Sequence, residues 1–179
     1  TLTRVNLTME RKGTGQYGIQ AKPGSSLTIT GSTIKPIQTD VRFDFHIDGA
    51  RFVLRNSTVE GLNDLEYPFN GGGLFLKNTV DAVLEDNTIN HRDTVAGIQL
   101  FRCRRTVIRN NVTTTPVRNN GRALAMQECH EGVITGNRFI RGEVLASGSH
   151  NNRFTDNELQ MTGEAPGVVL PGSGYNLIA

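Results

Sequence analysis

VLEDNTI, at residues 83–89, is one of six variants of a single phrase. The others are LTITGSTI (27–34), VLRNSTV (53–59), VIRNNVT (107–113), VITGNRF (133–139) and RFTDNEL (153–159). Aligned, they place Ser32, Ser57, Asn87, Asn111, Asn137 and Asn157 in one column, at separations of 25, 30, 24, 26 and 20 residues. Three positions earlier runs an unbroken apolar column: Ile29, Leu54, Leu84, Ile108, Ile134 and Phe154. A repeat near 25 residues fits one turn of a β-solenoid.

A second phrase precedes each of these. Its apolar pairs are Ile19/Ala21, Phe45/Ile47, Leu74/Leu76, Ile98/Leu100, Leu124/Met126 and Val144/Ala146, each separated by one residue. That is the period of a strand with one face buried. Each coil should carry this strand, a short turn, a second strand ending at the Asn/Ser column, and a further short strand such as Thr88–Ile89. Stacked coils about 4.8 Å apart pair their backbones and bring equivalent side chains together. Buried Asn side chains then bond one another and the turn backbone, so the column reads as scaffold. The expected fold is all-β: one right-handed parallel β-helix domain over residues 1–179. The phrase-like ends, LTRVNLTM (2–9) and Tyr175–Ala179, lead us to expect a longer parent chain.

Composition agrees with short strands and many turns. The chain has no Trp, 20 Gly and abundant Asn and Thr. Gly and Asn serve turns, while Val, Ile and Thr suit strands. The net charge of +2 carries no basic block, so we expect no nucleic-acid partner. No long apolar run suggests a membrane span. Oligomeric state is left open. Two loops depart from the repeat, Glu60–Gly72 and Pro116–Gly121, and loops of this kind often carry function.

Alternation also sets which side chains face outward from the first strand. One outward column reads Gln20, His46, Phe75, Gln99, Ala125 and Leu145; the next reads Lys22, Asp48, Lys77, Phe101, Gln127 and Ser147. A third places Asp44 among Gly18, Gly73, Gly97 and Ala123. Arg42, Asp44, His46 and Asp48 should therefore project from one face of VRFDFHID (41–48), with Lys22 and Lys77 below and above Asp48. The small glycines would leave room for a ligand. The plainer reading is a surface ion-pair stack of little energetic weight.

The Asn-column phrase resembles the parallel β-helix repeat of pectate-lyase-like proteins over nearly the whole chain. More narrowly, FDFHIDGARFVLRNSTVEG (43–61) is similar to the Asp-Pro-His segment of mannuronan C5-epimerases, with Asp44 and His46 matching its Asp and His and Phe45 standing at its Pro. The resemblance implies an acidic (uronate) polysaccharide as partner, an extracellular or periplasmic setting, and C5 epimerisation or β-elimination if the chain is catalytic. His46 and Lys77 would be the proton-transfer groups, with Asp44 and Asp48 orienting them. Arg42 or Lys22 would counter the substrate carboxylate, and Gln99, Tyr67 and His91 would border the groove. No cofactor is expected and no metal set is evident, although Asp44 and Asp48 would offer oxygen ligands to calcium. The competing expectation is a non-catalytic solenoid that binds glycan or serves as a surface repeat.

Other residues rank lower. His91, Arg92 and Asp93 read as a turn entering the first-strand layer, and His130 and His150 as surface residues of the far turn. Arg102, Arg104 and Arg105 form a compact basic turn. Cys103 and Cys129 occupy equivalent positions in adjacent coils, which suits either a disulfide or stacked buried thiols.

Overall fold

The computed structural model describes residues 1–9, 18–38, 43–63, 73–93, 96–115, 121–161 and 167–179, the side chains of Asn63 and Asp93 excepted. Within these residues every regular element is a strand, and all strand pairing is parallel. Three sheets stack as an all-β solenoid, the fold expected from the repeat. The front sheet holds the first strand of each coil: Ile19–Ala21, Phe45–Asp48, Leu74–Lys77, Ala96–Phe101, Arg122–Gln127, Glu143–Ser147 and Val168–Val169. The middle sheet holds the second, among them Ser26–Thr30, Arg51–Arg55, Val83–Glu85 and Val107–Arg109. The rear sheet holds the third, among them Thr33–Pro36, Thr58–Asn63, Thr88–Asp93 and Val112–Thr114.

Register follows the repeat. Leu54, Leu84, Ile108, Ile134 and Phe154 are successive partners across the middle sheet. Their side chains point inward with those of Phe45, Ile47, Leu74 and Leu76 to form one continuous core. Backbone bonds between coils satisfy the strands, while two polar side-chain ladders satisfy the corners. In the first, Asn111 Nδ2 donates to Asn137 Oδ1 at 3.0 Å and to Leu84 O at 2.9 Å, and its Oδ1 accepts from the Asn87 backbone N–H at 3.0 Å. Ser57 and Ser32 continue the same column toward the N-terminus. Buried amides can stand here because each one's donors and acceptors are taken up by the next coil.

The residue before each ladder position is Gly31, Asn56, Asp86, Asn110, Gly136 or Asp156, with φ between 48° and 64°. The corner between middle and rear sheets needs this left-handed conformation, which Gly, Asn and Asp adopt at least cost.

A second ladder runs through the corner between front and middle sheets. Cys103 N–H donates to Cys129 Sγ at 3.5 Å, Cys129 N–H to Ser149 Oγ at 3.0 Å, and Ser149 N–H to Ser173 Oγ at 2.9 Å. Cys103 and Cys129 are therefore stacked buried thiols, filling ladder positions that serine takes in later coils. Contact with Cys103, together with burial, pushes the Cys129 thiol above its ordinary range.

Candidate functional site: the outer face of the front sheet

Phe45 and Ile47 are fully buried, which turns His46 and Asp48 to the outer face, both half-buried. The register sets the surroundings. Gln20 pairs with His46, His46 with Phe75, Phe75 with Gln99, and Gln99 with Ala125. Alongside, Asp48 pairs with Lys77, Lys77 with Phe101, and Phe101 with Gln127. The two outward columns expected from alternation therefore stand side by side. Lys22 follows Ala21, the partner of Ile47, and is exposed at the end of the same row as Asp48.

Individual contacts refine this face. The His46 ring meets Phe75 edge-on, with centroids 5.3 Å apart and planes at 68°. Burial pushes the imidazole below its ordinary value; Asp48 opposes the shift and Lys77 reinforces it. The Asp48 carboxylate accepts from Asn78 Nδ2 at 2.9 Å, a partner the column reading did not foresee. One face of Phe101 is covered by the Arg102 guanidinium, 4.7 Å from the ring centroid.

Several expected residues stand elsewhere. Asp44 is not exposed on this face: it immediately precedes the strand and is buried, 3% exposed. The strand begins at Phe45, so alternation along it does not extend to Asp44. Asp44 and Asp48 thus do not share one exposed surface for calcium. Among the described residues, no three of His, Cys, Asp and Glu converge as a metal site.

The glycine column does not leave room for a ligand at Gly97. A Cβ there would lie 2.8 Å from both His91 Cδ2 and Thr113 Cγ2, so rear-sheet side chains already fill the space. At Gly73 a Cβ would meet Ala96 O at 2.6 Å, and φ is +79°. His91 itself is neither a groove residue nor a solvated turn. It belongs to the rear-sheet strand Thr88–Asp93, is buried, and its Nε2 lies 2.9 Å from Thr115 Oγ1. Burial lowers its pKa to about 4, so it is held neutral.

Arg42 and Tyr67 lie outside the described residues, as do most of Glu60–Gly72 and Pro116–Gly121. Gln99 sits half-buried in the outward column beside Phe75. The basic turn is charge-paired: Arg102 to Glu128, Arg104 to Glu131, and Arg105 to Asp81, at 2.7–2.9 Å. His130 and His150 are half-buried rather than free on the surface. Their rings stack at 5.5 Å, and His150 N–H donates to His130 Nδ1 at 3.3 Å.

Comparison with known proteins bears on the coil and not on the chemistry. No curated protein matches the chain. Two solved structures of trypsin-treated QnrB1, a plasmid-mediated fluoroquinolone resistance protein, overlap it loosely. The first is 17% identical over 97% of this chain and 91% of that one, with a TM-score of 0.21. The second is 16% identical over 88% and 89%, with a TM-score of 0.19. Overlaps this loose carry neither fold nor function across. The model of the right-handed β-helix region matches residues 6–159, nearly the whole repeat. The chain belongs to the right-handed β-helix family.

Proposed function

We propose that this solenoid receives an acidic polysaccharide on the outer face of its front sheet and acts on the bound uronate at C5. The observation that carries the reading is the register that sets His46, Asp48 and Lys77 next to one another on an outward face. A uronate polymer offers one carboxylate per sugar, and Lys77 with Lys22 supplies the complementary charge. The half-buried phenylalanine at position 75 and the amide of Gln99 suit the apolar and hydroxyl faces of a sugar ring.

His46 is the base in this reading. Its pKa is held below the ordinary value by burial, so at neutral pH it is deprotonated and able to accept the C5 proton. Lys77 beside it would neutralise the uronate carboxylate and stabilise the charge that builds on it as the C–H bond breaks. Return of a proton to the opposite face gives epimerisation. Cleavage of the C4–O bond, with a C4=C5 double bond forming and the departing oxygen taking up a proton, gives elimination. Asp48, anchored by Asn78, orients the pair. The proposal carries with it the extracellular or periplasmic setting and the pectate-lyase-like and mannuronan-epimerase affinities expected from the sequence.

A second reading, glycan binding without turnover, draws on the burial of Asp44, which leaves one of the two motif residues little exposed to a ligand. Incubation with a panel of uronate polymers in D2O separates the two. The enzyme reading expects deuterium at C5 or unsaturated-sugar absorbance, both lost in His46→Ala with the fold intact. Binding without either signal leaves only the second reading, and absence of binding across the panel overturns both.

A further inference from the structure

Beside the front face, at the corner leading to the middle sheet, lies a depression of about 420 Å³ lined by Gly49, Ala50, Arg51, Asn78, Val80 and Asp81. Its shape follows from backbone geometry. Gly49, Asn78 and Asp81 all have left-handed φ, at 57°, 52° and 58°, which turns the chain sharply in both neighbouring coils. Ala50 is buried and offers only a methyl group as floor, while Val80 is 45% exposed and gives an apolar wall.

The charge of the depression is set by what is already paired. Asp81 is spoken for: Arg105 Nε lies 2.7 Å from its Oδ1 and Arg105 Nη2 3.0 Å from its Oδ2. Asp48, at the edge, accepts from Asn78. Arg51 is exposed, faces Asp81 electrostatically and, among the described residues, makes no close ion pair, like Arg4, Arg92, Arg141 and Arg153 and unlike the seven arginines paired elsewhere on the coil. Asn78 gives one Nδ2 hydrogen to Asp48 and, among the described residues, keeps a second side-chain donor and its side-chain carbonyl oxygen. A cation with a fork of donors, an amide with both hydrogen-bonding senses, and an apolar wall together suit a hydroxylated carboxylate. The volume falls in the range of small-ligand sites, which is ample for one sugar unit.

We infer that this depression is a second anion subsite, in which Arg51 and Asn78 hold a uronate unit of the same glycan whose neighbouring unit lies over His46 and Lys77. The inference rests on the front-face reading and deepens it: the shared Asn78–Asp48 hydrogen bond places the two sites back to back, so the glycan crosses the corner of the coil there. Arg51 is a positioning residue for the glycan and touches no reacting atom.

Residue-resolved NMR of the ¹⁵N-labelled chain tests it, with tetragalacturonate, tetramannuronate and tetraglucuronate as probes and neutral cellotetraose as control. At least one uronate tetramer should shift the amides of Gly49, Ala50, Asn78 and Asp81 together with those of His46, Phe75 and Lys77, and cellotetraose should shift neither set. Arg51→Gln should weaken the tetramer about tenfold and erase the first set while the second remains. Shifts confined to the front sheet and unaltered by Arg51→Gln overturn the subsite and leave the front-face reading standing. Shifts confined to the depression support the subsite as an anion site and overturn the front-face reading. No shift with any uronate overturns both.

Discussion

Asn111 shows what a single side chain does in this coil. It is fully buried, and its amide serves the neighbouring coils on both sides. Asn111→Leu would orphan the Asn87 backbone N–H and one hydrogen of the Asn87 amide, both of which donate to Asn111 Oδ1, at about 1–3 kcal/mol for each buried group. We expect a loss of about 3 kcal/mol or more in urea unfolding; a loss under about 1 kcal/mol would mean the ladder is not a principal support. The ladder was legible in the sequence because its period is a property of the chain alone. The left-handed column before it was also there to be read, in Gly31, Asn56, Asp86, Asn110, Gly136 and Asp156, but only the corner geometry explains it. His91 was not legible as buried, since a polar residue beside Arg92 and Asp93 looks like a turn. Its folded-state pKa of about 4 lies below the ordinary imidazole value of 6.5. The neutral form is therefore favoured by folding. Its contribution is complete above pH about 6.5 and is lost as pH falls toward 4, amounting to about 3 kcal/mol from a shift of that size. Comparing unfolding free energies of the wild type and His91→Gln across this window should show the variant losing less stability; parallel curves would refute the assignment.

At the scale of the strand, alternation read Phe45–Asp48 and Leu74–Lys77 correctly, but Gly97 and Ala123, in the column expected to face outward, are buried within their strands. Phe45 and Ile47 point in, and His46 and Asp48 point out. It did not foresee the burial of Asp44, one step before the strand, nor contacts between sheets. Gly97 is the clearest case. Its missing side chain looked like space for a ligand, whereas His91 and Thr113 from the rear sheet occupy that space. Gly97→Ala should cost about 1–3 kcal/mol through overpacking. Pairing it with His91→Ala, which removes one of the two clashing groups, should recover part of that loss; a fully additive pair would show that the contact is not the cause. The basic turn shows contacts between coils of another kind. Arg102, Arg104 and Arg105 each find a carboxylate in a neighbouring coil, and exposed pairs of this kind contribute little stability.

Across the whole molecule, each coil packs on its neighbours alone, so a solenoid can vary its outer face without altering its core. Seven ion pairs among the described residues neutralise arginines around the coil. The front face instead sets Lys77 beside Asp48, with Lys22 at the end of that row, and the adjoining corner holds Arg51 with Asp81 and Asn78. Fold was readable from the repeat because it depends on period. The candidate site was half readable because it depends also on where strands begin and on what the other two sheets place behind them. If an acidic glycan is recognised by this face, and not by net charge in general, two single-charge changes must behave differently. Lys35, exposed on the rear-sheet strand Thr33–Pro36, is the matched control for Lys77. The decisive measurement is the affinity of a uronate polymer, at one fixed ionic strength, for Lys77→Gln and Lys35→Gln. The expected result is a loss of about tenfold for Lys77→Gln, near 1.4 kcal/mol, and less than about twofold for Lys35→Gln. Equal losses in the two variants, or a larger one for Lys35→Gln, would contradict recognition by the front sheet.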